Sequence, residues 1–319
     1  MWNARCWMRW RSVRRRRSEG FFVGSGLAIC CECVISIRNP MKTLITFAIA
    51  SVLACGSLRA QTLNIVAAEN FYGGVAREIA GHSANIISIL SNPNQDPHEF
   101  QTDAATARAV EDADIVIYSG IGYDDWMQKL LGLKGKPNRT VICVAELIGA
   151  KAGDNPHIWY NPRTMTVLAE KLGELLKEPG NAIAFEKTME AVTTKIAEIK
   201  AAHAGTAVTA TEPVFGYMAD ALGFKMLNYS FQVAVMNDTE PSFKDTSTYE
   251  TSLRSGEVKM LFYNNQANDP VTQRMQSIAK ENHIPVIGVT ETQPPDRATY
   301  ADWMLSELNG VEKGFAEAH

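Results

Sequence analysis

Two histidines in this chain stand in nearly the same setting. His98 lies in Asp96-Pro97-His98-Glu99-Phe100, and His157 lies in Asn155-Pro156-His157-Ile158-Trp159. Each follows a proline, whose ring fixes its own φ and biases the residue before it toward extended backbone. An imidazole placed this way is held at a loop edge with little freedom left. One such histidine alone reads as an ordinary loop residue. Two of them, 59 residues apart, point to one site assembled from distant loops. The chemistry that gathers imidazoles is the binding of a divalent metal, for which neutral imidazole is the commonest ligand.

Two acidic loops extend the set. Glu212 opens Glu212-Pro213-Val214-Phe215-Gly216-Tyr217, directly after the apolar run Ala207–Ala210. A second acid comes from Glu291-Thr292-Gln293-Pro294-Pro295-Asp296, after Val286–Val289, as either Glu291 or Asp296. Two imidazoles with two carboxylates form a mixed nitrogen and oxygen site, suited to Mn2+, Zn2+ or Fe2+ and too hard for Cu(I). Two carboxylates also neutralise a divalent ion. Taken alone, Glu212 reads as an acid at the start of a helix, where the dipole favours it.

The elements that must position these loops follow from hydrophobic patterning. Leu63–Ala68, Ala84–Leu90, Ile115–Tyr118 and Thr140–Val144 are short apolar runs, and helical patterns lie between them at 73–80, 106–111 and 124–131. This alternation predicts βαβ units and a parallel sheet, whose ligands bind beyond the carboxyl ends of the strands. His98 follows the strand ending at Leu90 and so falls in such a place. Two helical patterns come next with no strand between: Arg163–Lys177, then Ala182–His203, with Pro179-Gly180 as a break. The second carries Ile183, Phe185, Met189, Val192, Ile196 and Ile199 at helical spacing. The βα pattern restarts at Ala207, with further strands at Met260–Tyr263 and Val286–Val289. The expected class is α/β, with two lobes, each a mainly parallel sheet flanked by helices, joined by one long linker helix. The site falls in the cleft between them. Residues 61–180 form the N-terminal lobe, 181–205 the linker helix and 206–319 the C-terminal lobe. There is no repeat of solenoid period.

Residues 41–60 read as a secretory signal: Met41-Lys42-Thr43, an apolar run from Leu44 to Cys55, and Ala60 before Gln61 as the expected cleavage point. Leu53-Ala54-Cys55-Gly56 has some likeness to a lipoprotein box, into which Leu53 fits poorly. Residues 1–40 make no sense ahead of a signal peptide and read as an extension from a start codon assigned too early, with Met41 the initiator. The whole chain has net charge −4, from 31 basic and 35 acidic residues. Residues 1–60 hold ten of the former and two of the latter, so the exported part sits near −12. An acidic exported protein is a poor partner for nucleic acid and a fair collector of cations. Of six cysteines only Cys143 lies in that part. It reads as a buried small hydrophobe, and ordinary core packing over about 260 residues supplies the stability.

The ordered motifs Asp96-Pro97-His98-Glu99-Phe100, Asn155-Pro156-His157-Ile158-Trp159-Tyr160-Asn161-Pro162 and Phe215-Gly216-Tyr217 resemble the zinc/manganese solute-binding proteins of bacterial ABC transporters, the cluster A-I periplasmic metal-binding proteins. The resemblance runs from about Leu63 to Phe315. It implies two α/β lobes joined by a rigid helix, one metal held between them, and delivery to a membrane ABC permease by a monomeric periplasmic protein. The family's histidine ligands fall on His98 and His157. Its third ligand, His in many members and Glu in some manganese binders, falls on Glu212. Its fourth is usually Asp; Glu291 matches that position best, a departure from the pattern. The short stretch 149–154 lacks the histidine-rich loop of many zinc-uptake members. With Glu212, this tilts the expected cargo toward manganese, with zinc and iron behind it.

Other readings fit the same residues less well. A periplasmic zinc hydrolase needs an open coordination position and a general base; four protein ligands close the site, and no His-Glu-x-x-His or Gly-x-Ser-x-Gly motif occurs. A metal-binding chaperone or adhesin would share the ligands. An organic-solute receptor would show aromatic and arginine groups at the strand ends. His82, His203, His283 and His319 read as helix-end or turn residues. Asn70-Phe71-Tyr72 reads equally as support for the cleft or as packing, and Trp126, Trp159 and Trp303 as packing.

Overall fold

A computed structural model of the chain describes residues 62–93, 100–267 and 269–317. The signal sequence, the segment before it, His319, and His98 with its loop at 94–99 lie outside the described residues. The first lobe runs β1 (Leu63–Glu69), α1 (Asn70–Ala80), β2 (Ala84–Leu90), α2 (Ala104–Glu111), β3 (Ile115–Tyr118), α3 (Asp125–Leu131), β4 (Thr140–Cys143) and α4 (Val144–Ile148). Its sheet is parallel in the order β2-β1-β3-β4. The inner strand β3, Ile-Val-Ile-Tyr, is buried at every residue, as a parallel strand covered on both faces requires. Helix α1 starts at Asn70 rather than Gly73, because β1 passes into it with only Glu69 as the cap.

Helices α5 (Thr164–Leu176) and α6 (Pro179–His203) follow. Pro179 does not break the helical run but opens α6, in the first turn, where a missing N–H costs nothing. The 25 residues of α6 span about 37 Å. Only Phe185, Met189, Val192, Ile196 and Ile199 are buried, a single stripe at spacings of four and three. Ile183, expected on that stripe, is 67 % exposed.

The second lobe runs β5 (Ala207–Ala210), α7 (Gly216–Ala221), β6 (Lys225–Leu227), α8 (Tyr229–Met236), α9 (Phe243–Arg254), β7 (Leu261–Asn264), α10 (Pro270–Glu281), β8 (Val286–Val289) and α11 (Tyr300–Glu317). Its parallel order, β6-β5-β7-β8, repeats the first. In each sheet the winding direction reverses beside the first strand, between β1 and β3 and between β5 and β7, and the strand ends there form a crevice.

One continuous apolar core joins the lobes. Phe71 of α1 stacks on Trp159 at 4.9 Å and faces Trp303 of α11 at 5.8 Å. Polar ties cross beside it. Asn70 Nδ2 donates to Gln293 O at 2.8 Å and Gln293 N donates back to Asn70 Oδ1 at 3.0 Å. Tyr160 OH donates to Thr290 O at 2.8 Å. Asn70 therefore reaches the facing lobe, while Phe71 and Tyr72 pack in the core. Cys143 is half-buried, with Sγ 3.7 Å from Ser119 O.

Candidate metal centre

The turn Asn155-Pro156-His157 leads into a single 3-10 turn, Ile158–Tyr160, which sinks into the core. Asn155 Oδ1 accepts from His157 N at 3.1 Å and pairs with His157 Nδ1 at 2.7 Å. Asn155 Nδ2 donates to Pro213 O in the other lobe at 2.6 Å, so the amide oxygen must be the atom facing the ring. Nδ1 therefore carries the hydrogen and Nε2 the lone pair, the tautomer a metal requires. Nε2 stands 3.5 Å from Glu291 Oε2, and both side chains are fully buried. Two atoms each about 2.1 Å from one ion at a tetrahedral angle stand roughly 3.4 Å apart. The observed separation matches that spacing.

Glu212 follows β5 in extended backbone and caps the 3-10 turn Pro213–Phe215. It is 4 % exposed. Its Oε1 accepts from Asn264 Nδ2 at 3.2 Å, and the same nitrogen donates to Glu291 Oε1 at 2.6 Å. Glu291 Oε2 accepts from Tyr123 OH of the first lobe at 2.9 Å. Burial, then the Glu291 charge, pushes the Tyr123 phenol well up, so it stays a donor. Glu291 N donates to Gln266 Oε1 at 2.6 Å. Gly216 lets Asn155 come close: a Cβ there would meet Asn155 Nδ2 at 2.8 Å.

The structure thus brings His157, Glu212 and Glu291 to one place and leaves Asp296 outside it, 67 % exposed and paired with Arg297 at 2.6 Å. Among the described residues no group of three or more His, Cys, Asp or Glu side chains stands close enough together to hold a metal ion; His98 lies outside those residues. Sequence reasoning missed Tyr123, Asn264 and Gln266, and missed that Asn155 spans the lobes. A polar residue ending the buried strand Leu-Phe-Tyr-Asn was the available signal for Asn264. His82 and His283 are exposed, and His203 stacks on Phe315 at 3.9 Å. Trp126 packs on Phe100 at 4.6 Å.

The first lobe has its own buried acids at the matching crevice. Glu69 ends β1 and Asp124 caps α3, and both are fully buried. Asp124 accepts from Ser119 N at 2.6 Å and Gly120 N at 2.8 Å. That turn needs left-handed backbone at Gly120, Ile121 and Gly122, with φ of 84°, 46° and 90°. Burial pushes Asp124 up to about 6 despite the two amides. Burial, then the charge of Asp124, drives Glu69 well above the usual carboxyl range. Burial thus favours the neutral, protonated form of Glu69.

The chain and its fold are similar to known proteins. The chain is 25 % identical over 273 residues to the metal ABC transporter substrate-binding lipoprotein ScbA of Streptococcus cristatus, covering 76 % of this chain and 86 % of that protein. It is 23 % identical over 315 residues to the manganese ABC transporter substrate-binding lipoprotein PsaA of Streptococcus pneumoniae, covering 88 % of this chain and all of that one. Its fold matches the substrate-binding protein FpvC of Pseudomonas aeruginosa, solved with Mn2+, with a TM-score of 0.66 at 17 % identity over 81 % of this chain and 100 % of FpvC. The family described as ZnuA, zinc-uptake complex component A periplasmic, matches residues 65–314, nearly the whole described chain, and the protein belongs to it.

Proposed function

We propose that the protein captures one divalent transition-metal ion, manganese or zinc, outside the cytoplasmic membrane and delivers it to the permease of an ABC importer. The carrying observation is the buried contact between His157 Nε2 and Glu291 Oε2, at ligand-to-ligand spacing and with the ring tautomer fixed by Asn155. Glu212 joins them through the shared amide of Asn264, and His98 supplies the fourth ligand. One imidazole and one carboxylate come from loops of different lobes, so the ion sits where the lobes meet. Four protein ligands leave no coordination position for substrate chemistry, and the role is carriage rather than catalysis. These relatives are metal and manganese ABC transporter substrate-binding lipoproteins, which supports an extracytoplasmic, periplasm-facing protein. If it is lipid-anchored, Cys55 carries the anchor. No helix among the described residues is long and apolar enough to cross a membrane.

Titration of chelator-stripped protein with Mn2+ and Zn2+ tests this. One ion per chain is expected, with binding abolished by the paired change of His157 and Glu291 to alanine. A stoichiometry of zero, or saturable binding of an organic solute instead, overturns it.

A further inference from the structure

The loop that carries Glu291 is held by the two lobes in turn. Thr290 O accepts from Tyr160 OH of the first lobe at 2.8 Å. Gln266 Oε1, from the second lobe, accepts Glu291 N at 2.6 Å and Thr292 N at 3.2 Å. Gln293 then returns to the first lobe, where Asn70 takes both its backbone groups: Nδ2 donates to Gln293 O at 2.8 Å and Oδ1 accepts Gln293 N at 3.0 Å. A side-chain amide has the donor and acceptor of a peptide group, so Asn70 meets the loop as a paired strand would. The two bonds fix which way the amide faces, since turning it would set oxygen against oxygen and N–H against N–H.

Asn70 is itself well anchored. It opens α1 directly after the buried end of β1, and Phe71 beside it is packed against Tyr72, Trp159 and Trp303. The loop lies close on this helix: a Cβ on Gly74, one turn along, would meet Gln293 Oε1 at 3.4 Å. His157 is tied to the same packing, edge-on to Trp159 at 5.2 Å, while Trp159 stacks on Phe71 at 4.9 Å. Asn70 and His157 therefore move as parts of one packed unit, and Glu291 stands two residues from the backbone that Asn70 grips. Tyr123 holds the Glu291 carboxylate itself; Asn70 holds the chain that carries it. The 3.5 Å spacing between His157 Nε2 and Glu291 Oε2 is set across this path.

We propose that Asn70 is a positioning residue for metal capture: by pinning the backbone of Gln293 to the first lobe, it sets the Glu291 carboxylate against the His157 imidazole. This rests on the reading of His157 and Glu291 as ligands. Without the pin, Tyr160 and Gln266 still hold the start of the loop, but Glu291 must then be ordered by the ion as it binds, which weakens capture.

The test is a double-mutant cycle in the full chain, read by competition titration with Zn2+. Asn70→Ala should weaken Zn2+ binding about tenfold. In a Glu291→Ala background, where no carboxylate is left to place, the same change should cost less than about twofold. A merely structural residue would cost the same factor in both backgrounds. That equality, or wild-type affinity in Asn70→Ala, overturns the proposal. Should the alanine variant not fold, Asn70→Asp keeps the size and the acceptor for Gln293 N while removing the donor to Gln293 O, and the same cycle decides. Failure of the wild-type protein to bind Zn2+, or wild-type affinity in Glu291→Ala alone, would overturn the ligand reading itself, and the proposal with it.

Discussion

Both sheets wind in the same order, and each buries two acids at the point where its winding reverses, yet the two pairs are built differently. In the first lobe no N–H or O–H among the described residues donates to either oxygen of Glu69. Its neighbour Asp124 takes two backbone amides, and burial favours the protonated form of Glu69. In the second lobe Glu212 and Glu291 share the amide of Asn264, and Glu291 also receives the Tyr123 phenol. Adjacent buried carboxylates can be reconciled by a proton or by fixed donors. Fixed donors stabilise the ionised carboxylates without a proton. The same fold thus holds one acid pair by burial and the other by fixed donors, and on the proposed reading only the second receives an ion.

That contrast can be broken by substitution. The largest effect is expected from Glu291→Gln, which leaves the ion one carboxylate short in a dry cleft; metal affinity should fall about 100-fold or more for every ion, while Asp296→Asn stays close to wild type. If calorimetric titration finds these two reversed, the last loop is misassigned. Glu212→His keeps the ligand number and raises the nitrogen content, so competition should show the Mn2+ to Zn2+ preference falling by about tenfold. Gly216→Ala pushes Asn155 away through the contact it would make at 2.8 Å. With the His157 tautomer no longer held, affinity should drop about three- to tenfold, short of a lost ligand. An unchanged value would mean Asn155 is only a packing residue.

The smallest effect on binding belongs to the first-lobe pair. Glu69→Gln should leave metal affinity within about twofold and change stability instead. Folded, Glu69 keeps its proton, and unfolded it releases it near pH 4.3. The folded state therefore binds more protons above that pH, and stability is lost as pH rises toward the raised folded value. Glutamine keeps an N–H there at every pH. Thermal unfolding at pH 7.5 should show a gain of about 1–2 kcal/mol and a flatter slope from pH 5 to 8. A loss of stability that grows with pH would show Glu69 to be ionised in the fold.

What was legible in advance was what repeats along the chain. Buried parallel strands are apolar runs, so β1, β2, β3, β4, β5, β7 and β8 stood out, and with them the strand-end loops of Glu212 and Glu291. Lys225–Leu227 did not: three residues carry no period, and β6 exists because it pairs with β5. Pro179 read as a break because a proline suits the start of a helix as well as its end. Ile183 lies only two residues before Phe185, about 200° round the helix from the buried stripe, and so faces solvent. Within the site, ligand types show in sequence but their supports do not. Tyr123 is 168 residues from Glu291 and Asn264 is 52 from Glu212; only the folded sheets bring them together.

The narrow stripe of α6 has a consequence for how this protein can vary. Its outward positions, among them Glu186, Glu190 and Glu198, are exposed and can be exchanged one by one at little cost. Its length cannot. One residue inserted at mid-helix would turn everything beyond it by about 100° and advance it about 1.5 Å. Phe185 and Met189 would then face the core while Ile196 and Ile199 faced water, or the reverse. In this surface helix the spelling is free and the letter count is not.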